Sequence, residues 1–110
     1  MNWRELTSTD QLDRVLQESF LQPIAIFKHS TRCSISSVAK GRLEREWKFP
    51  EDKLAIYFLD LIRHRDVSNK IAESTGVHHE SPQLILLKNG KSIFDASHNA
   101  VTAKGLDSLV

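Results

Sequence analysis

The chain has 110 residues, of which 40% are hydrophobic and 26% are charged, and its net charge is only +1. We expect one domain over residues 1–110, and the near-neutral charge argues against nucleic acid or an anionic membrane as a partner. No apolar run approaches the roughly 20 residues of a membrane-spanning helix, and the polar N-terminus has no signal-peptide core. The sequence therefore predicts a cytoplasmic protein.

The first half of the chain predicts a helix, a strand and a second helix. Ser8 or Thr9 can cap a first helix, which Pro23 ends. The short apolar run "IAIF", residues 24–27, predicts a strand. After a polar loop, a helix-spaced stripe predicts an amphipathic helix with one buried face. The stripe consists of Ile35, Val38, Ala39, Leu43 and Trp47.

The second half predicts a buried strand, a helix and a hairpin. "LAIYFLDLI", residues 54–62, is nearly continuously apolar, as strands covered on both faces are. Val67 and Ile71 mark a helix that Gly76 can end in a left-handed conformation. Two apolar runs then flank Asn89 and Gly90, the pair best suited to a two-residue hairpin turn.

The order of these elements predicts an α/β domain. Thr102 can cap a short last helix that buries Ala103, Leu106 and Leu109. A βαβ unit followed by a helix and a hairpin predicts a mixed central sheet with helices on both faces. In such a sheet, ligands bind beyond the carboxyl end of the first core strand. Cys33 lies in the loop at that place.

The stretch "KHSTRCSISS", residues 28–37, holds the only cysteine of the chain, Cys33, where a strand ends and a helix begins. Unpaired N–H groups and the helix dipole favour a thiolate there, and the thiolate is the nucleophile. Lys28, His29 and Arg32 can add positive potential, and Ser36 can donate a hydrogen bond to the sulfur. A buried structural cysteine is the alternative, but it normally sits in an apolar stripe, and these neighbours are polar.

A second segment of interest is "HHESPQ", residues 78–83, before the hairpin. Pro82 can simply begin a strand through an ordinary trans bond, and trans is the majority state of X–Pro bonds. A cis bond would instead form a tight turn that leaves the backbone of Ser81 open to an extended ligand. The residues alone leave both possibilities open.

A CxxS motif after the first core strand, a later Ser-Pro and then a hairpin resemble the thioredoxin-like superfamily. The chain most resembles the monothiol bacilliredoxin family, the YtxJ-type general stress proteins of the bacillithiol system. The similar segments are "FKHSTRCSIS", "HESPQ", "LLKNGK" and the late "SH", and the similarity covers essentially the whole chain. Ser34 and Arg32 depart from the family pattern on either side of the cysteine.

The resemblance implies a thioredoxin-like fold and the site residues. Cys33 matches the family's nucleophile, and Ser36 stands where dithiol relatives have the resolving cysteine. Pro82 matches the cis-proline of the superfamily, and Thr31 and Ser81 are the implied substrate-binding neighbours. Dithiol relatives carry a buried acid on the strand before the motif, and no such proton acceptor is visible in this sequence.

The implied function is a monothiol thiol–disulfide exchange in a general stress protein of a bacterium. Cys33 would remove a low-molecular-weight thiol, bacillithiol or a similar one, from mixed disulfides on client proteins. The partners would be S-thiolated client proteins and that thiol as co-substrate, with no cofactor and no metal, and the protein would be a monomer. The alternative is a non-catalytic thioredoxin-like binding or stress protein in which the cysteine is only modified.

Other cysteine chemistries fit the sequence less well. His29, Cys33, His78 and His79 could hold zinc, but no ligand pair lies on a predicted helix face. An iron–sulfur glutaredoxin motif would have Gly-Phe between cysteine and serine. A phosphatase or arsenate-reductase loop needs an arginine six residues after the cysteine, and Ala39 occupies that position.

Overall fold

The computed structural model describes all 110 residues and has a five-stranded mixed sheet at its centre. The strands are β1 (Trp3–Glu5), β2 (Ile24–His29), β3 (Ala55–Asp60), β4 (Gln83–Lys88) and β5 (Lys91–Ser97). Their order across the sheet is β1-β3-β2-β4-β5. β3 runs parallel to β1 and β2, whereas β4 is antiparallel to β2 and β5. The predicted α/β fold class is therefore confirmed.

Three α-helices cover the sheet: α1 (Thr9–Glu18), α2 (Ser34–Glu46) and α3 (Arg65–Thr75). α1 and α3 pack on one face, where strand residues such as Ile26 and Ile85 meet Leu12 and Ile71. α2 and the C-terminal segment pack on the other face. None of the three helices is both long enough and apolar enough to cross a membrane.

The predicted N-cap of the first helix, the glycine end of the third and the hairpin turn are confirmed. Ser8 caps α1 by accepting a hydrogen bond from the backbone N–H of Gln11 at 3.1 Å. Gly76 ends α3 with a φ of 72°, in the left-handed region that glycine adopts without steric cost. Asn89 and Gly90 join β4 to β5 with φ angles of 55° and 76°, as the predicted two-residue turn requires.

Three predictions about elements were wrong. The strand β1 was not predicted, because three residues with polar neighbours carry no periodic signal. The second strand extends beyond the predicted residues 24–27 to His29, and all six of its residues are buried. The last helix consists instead of two short 3₁₀ turns, His98–Ala100 and Lys104–Leu106. Thr102 accepts a hydrogen bond from the N–H of Gly105, which closes only a single turn.

The predicted buried face of α2 was wrong in part, since Ala39 and Leu43 are buried as predicted but Ile35 and Val38 are not. Ser36, Ala39 and Leu43 face the sheet, while Ile35 and Val38 are 52% and 61% exposed. The helix is thus rotated so that a serine, not an isoleucine, enters the core in its first turn. The contacts of that serine explain the rotation.

Candidate active site

Cys33 is the N-cap residue of α2, at the end of the loop that leaves β2. Its N–H donates to the carbonyl of Ser30 at 3.2 Å, and its own carbonyl accepts from the N–H of Ser37 at 3.2 Å. The side chain makes no capping hydrogen bond and is partly exposed. The thiol therefore lies at the positive end of the helix dipole with its sulfur free for reaction.

Ser36 is fully buried beneath this loop and connects the helix to the strand. Its Oγ lies 2.7 Å from Nδ1 of His29 and accepts a hydrogen bond from the N–H of Ser30 at 3.1 Å. These contacts hold the first turn of α2 against the end of β2 and the first residue of the loop. The structure contains no hydrogen bond from Ser36 to the sulfur of Cys33, so the expected support of the thiolate by this hydroxyl stays a prediction.

His29, which the sequence offered as a source of positive potential or as a possible zinc ligand, is a buried titratable group. Its ring packs between Phe27 and Phe58, with centroid distances of 5.8 and 5.3 Å. Burial lowers the pKa of His29, so its ring is neutral at neutral pH. The position was not recognised because the predicted strand stopped before the charged residues "KH".

The lysine and the arginine near Cys33 in the sequence have different environments. Lys28 is fully buried and its side chain contacts α3, on the face of the sheet opposite α2. Arg32 is exposed and forms no ion pair, which leaves it as the exposed cation of the loop. Thr31, one residue earlier, is also exposed. The roles assigned to Arg32 and Thr31 stay predictions.

Ser81 and Pro82 lie at the same end of the sheet as Cys33. Pro82 precedes β4, and β4 pairs with β2 so that Gln83 stands opposite Lys28. The Ser81–Pro82 peptide bond is cis, and Pro82 is buried. The hydroxyl oxygen of Ser81 is buried without a hydrogen-bond partner.

The segment that begins at His98, after β5, contacts the chain around the Ser81–Pro82 bond. The carbonyl of Pro82 accepts a hydrogen bond from the N–H of His98 at 3.0 Å. Nε2 of His98 lies 3.9 Å from the carboxylate of Glu80. His98 has a φ of 54°, a left-handed conformation that is uncommon for a residue other than glycine.

The surface around the thiol is open and partly apolar. None of the concave pockets on the molecule is lined by Cys33. Ile35 and Val38, two and five residues after Cys33 on α2, are exposed. The structure does not bring three or more histidine, cysteine or acidic side chains into a cluster that could hold a metal ion. The open, partly apolar surface beside Cys33 can receive a thiol that is part of another protein.

Known proteins are similar to this chain in sequence and in fold. The family model of the monothiol bacilliredoxin BrxC matches residues 4–106. The solved structure of a proposed oxidoreductase with a thioredoxin fold is similar with a TM-score of 0.82 and 30% identity, over 96% of this chain and 91% of that one.

Two thioredoxins show the same fold at lower identity. That of Malassezia sympodialis has a TM-score of 0.72 and 21% identity, over 98% of this chain and 87% of its own. That of Fasciola hepatica has a TM-score of 0.70 and 15% identity, over 96% and 94%. The chain therefore belongs to the monothiol bacilliredoxin family, and it is a thiol redox protein of thioredoxin fold.

Proposed function

We propose that the protein removes a low-molecular-weight thiol, bacillithiol or a chemically similar one, from mixed disulfides on client proteins. The observation that carries the proposal is the position of Cys33, the only thiol of the chain, at the start of α2 with its side chain partly exposed. Membership of the bacilliredoxin family supports the same assignment.

The proposed reaction is one thiol–disulfide exchange. The Cys33 thiolate attacks the sulfur that belongs to the small thiol, and a new S–S bond forms between them. The original S–S bond breaks, and its electron pair leaves with the client sulfur, which takes a proton from water. The client is reduced, Cys33 is oxidised to a mixed disulfide, and the total number of disulfides does not change.

Release of the small thiol needs a second thiol from outside the chain. Ser36 stands three residues after Cys33, where dithiol relatives carry a second cysteine, and a hydroxyl cannot take part in disulfide exchange. Another free low-molecular-weight thiol, or the thiol of another redox protein, would attack the mixed disulfide and restore Cys33. Such a cycle suits the cytoplasmic location expected from the sequence, because thiol pools there are reducing.

Client recognition in this proposal uses the surface beside the thiol. Thr31 and Arg32 in the loop, and Ser81 and Pro82 at the start of β4, would contact the client. The exposed side chains of Ile35 and Val38 would add apolar contact area. These two residues also favour a second candidate function, because an apolar surface can hold a partner protein without any exchange.

Intact mass spectrometry of the protein isolated from its native cells tests the proposal. We expect a fraction of the protein to carry one adduct that is removed by a reductant and is absent from the Cys33→Ser variant. The added mass identifies the small thiol. A protein that copurifies with partners but never carries a reducible adduct, even after oxidant treatment of the cells, would support the binding function instead.

A further inference from the structure

Lys28 is a charged side chain in the core of the molecule. Its relative exposure is 0%, and it lies on β2 with its side chain on the face covered by α1 and α3. Burying an ammonium group is costly unless it is paired, and no carboxylate forms a salt bridge with Lys28. A buried lysine without an acidic partner calls for an explanation beyond packing.

The partners of Lys28 are a carbonyl and an imidazole. Its Nζ donates to the carbonyl of Ser68 on α3 at 3.3 Å and lies 3.3 Å from Nδ1 of His79. Because an ammonium group has no acceptor, Nδ1 of His79 must be the unprotonated nitrogen of its ring. The hydroxyl of Ser68 also lies 3.3 Å from that nitrogen, which places two donors around one acceptor.

His79 begins the segment that leads into β4. We call residues 79–82 the 79–82 loop. Lys28 stands opposite Gln83 in the pairing of β2 with β4, and Cys33 follows the end of β2 by four residues. A contact between Lys28 and His79 therefore ties the loop to the strand that also carries the thiol.

We propose that Lys28 is a positioning residue that holds the 79–82 loop, through His79, in the conformation that receives the client chain next to Cys33. The inference rests on the proposed exchange activity. Lys28 does not touch the client, because its side chain lies behind the loop and inside the core. The contact needs a neutral His79 and is strongest with a charged Lys28, so it has its full strength only within a range of pH.

The charges around the pair set that range. Burial lowers the pKa of Lys28 to about 8, so the ammonium form is lost in mildly alkaline solution. Burial, together with Lys28 and with Arg65 on α3, lowers the pKa of His79. Glu80 raises the pKa of His79, and the neighbouring His78 lowers it. In acid, Nδ1 of His79 gains a proton and can no longer accept a hydrogen bond. The positively charged ring then lies beside the positive charge of Lys28.

Two substitutions of His79 test the positioning role. Asparagine places an acceptor near the position of Nδ1 but does not titrate, whereas leucine provides no acceptor. We expect His79→Leu to raise the KM for an S-thiolated protein about tenfold, with kcat changed less than about twofold. We expect His79→Asn to keep the wild-type KM at neutral pH and to lose the rise in KM that the wild type shows in acid, when His79 gains a proton.

Controls separate this role from a general loss of stability. The His78→Asn variant removes a neighbouring imidazole whose side chain makes no hydrogen bond, and it should retain the wild-type rise of KM in acid. Alkylation of Cys33 by iodoacetamide should proceed at the wild-type rate in every variant, because this small reagent does not need the loop. Equal KM values for His79→Leu, His79→Asn and the wild type would overturn the positioning role.

A titration that needs no substrate completes the test. Following the His79 ring by NMR, we expect the Lys28→Met variant to show an increased pKa for His79, because a neighbouring positive charge is gone. An unchanged titration would overturn the contact itself. If the titration shifts in Lys28→Met while the wild type transfers no thiol, that result would overturn the proposed function but not the contact between Lys28 and His79. If Lys28→Met does not fold, the two His79 variants decide the matter alone.

Discussion

Cys33 occupies an N-cap position at which serine, threonine, asparagine and aspartate are the preferred residues. Those side chains accept a hydrogen bond from a helix N–H group, and Cys33 makes no such bond. A cysteine at this place therefore gives up part of the stability that a serine would supply. This is expected of a thiol that serves reactivity and not packing.

The Cys33→Ser variant follows from this geometry. We expect it to transfer no small thiol and to be as stable as the wild type or more stable, by up to roughly 0.5–2 kcal/mol, because serine can cap α2. Urea unfolding and a transfer assay measure the two effects. Cys33→Ala is the matched control, with the same loss of transfer and no gain in stability. A Cys33→Ser variant that no longer unfolds cooperatively would indicate a structural cysteine.

Ser36 offers a second prediction at the scale of single residues. Removing its hydroxyl leaves Nδ1 of His29 and the N–H of Ser30 without their partner in a buried place. We expect Ser36→Ala to reduce the free energy of unfolding by about 1–3 kcal/mol. The exposed neighbour Ser37 is the control, and Ser37→Ala should change stability by less than about 0.5 kcal/mol. Equal effects of the two substitutions would contradict a stabilising role of the two hydrogen bonds made by the buried Ser36 hydroxyl.

The sequence predicted the position of Cys33 at the start of a helix but not the buried groups around it. Cys33 could be placed because a strand pattern ends and a helix pattern begins on either side of it. Lys28 and His29 could not be placed inside the core, because charged residues normally end a strand pattern. Only the tertiary fold supplies their partners, which are Ser36 and Ser68 from two different helices.

At the scale of elements, polar contacts in the first turn of α2 determine which side of this helix faces the sheet. The apolar spacing predicted that Ile35 and Val38 face the core, yet the hydroxyl of Ser36 does so instead. The two hydrogen bonds of that hydroxyl, with a buried histidine and with a backbone N–H, require Ser36 to face the sheet. Local spacing carries no information about such a partner, which comes from a different strand.

The two exposed apolar residues of α2 give a prediction about clients. We expect Val38→Gln to raise the KM for an S-thiolated protein severalfold and to leave the rate with a small disulfide unchanged. Its effect on stability should stay within about 0.5 kcal/mol, because Val38 is 61% exposed. Leu21→Gln is the control, since Leu21 is 88% exposed at the opposite end of the sheet. If both substitutions change the KM equally, the surface beside Cys33 has no special part in recognition.

At the scale of the whole molecule, the order of elements predicted the fold well. Helix and strand patterns alternate clearly over most of the chain, and right-handed βαβ connections leave few arrangements. The Asn89–Gly90 turn then forces β5 to lie beside β4. The edge strand β1 was missed because its stability comes from pairing with β3, which no local pattern in "WRE" reveals.

The buried histidines make the stability of the whole molecule depend on pH. Burial lowers the pKa of both His29 and His79, so the unfolded chain binds more protons than the folded one below about pH 6.5. The free energy of unfolding should therefore fall on acidification from about pH 6.5, by at most about 1.4 kcal/mol per pH unit for each histidine.

Urea unfolding across this range measures the pH effect before the carboxylates titrate. The His29→Asn/His79→Asn double variant should show a flatter dependence, because asparagine does not titrate. Stability that rises on acidification, or an equally steep dependence in the double variant, would contradict the burial of these two rings as neutral groups.

One measurement tests the central claim most directly, namely that Cys33 takes a small thiol from a client protein. A client carrying one mixed disulfide with bacillithiol is mixed with the reduced protein, and both intact masses are followed over time. The account predicts that the client loses the mass of the thiol while the protein gains the same mass on Cys33. A client that stays modified, or a disulfide between Cys33 and the client as the sole product, would contradict it.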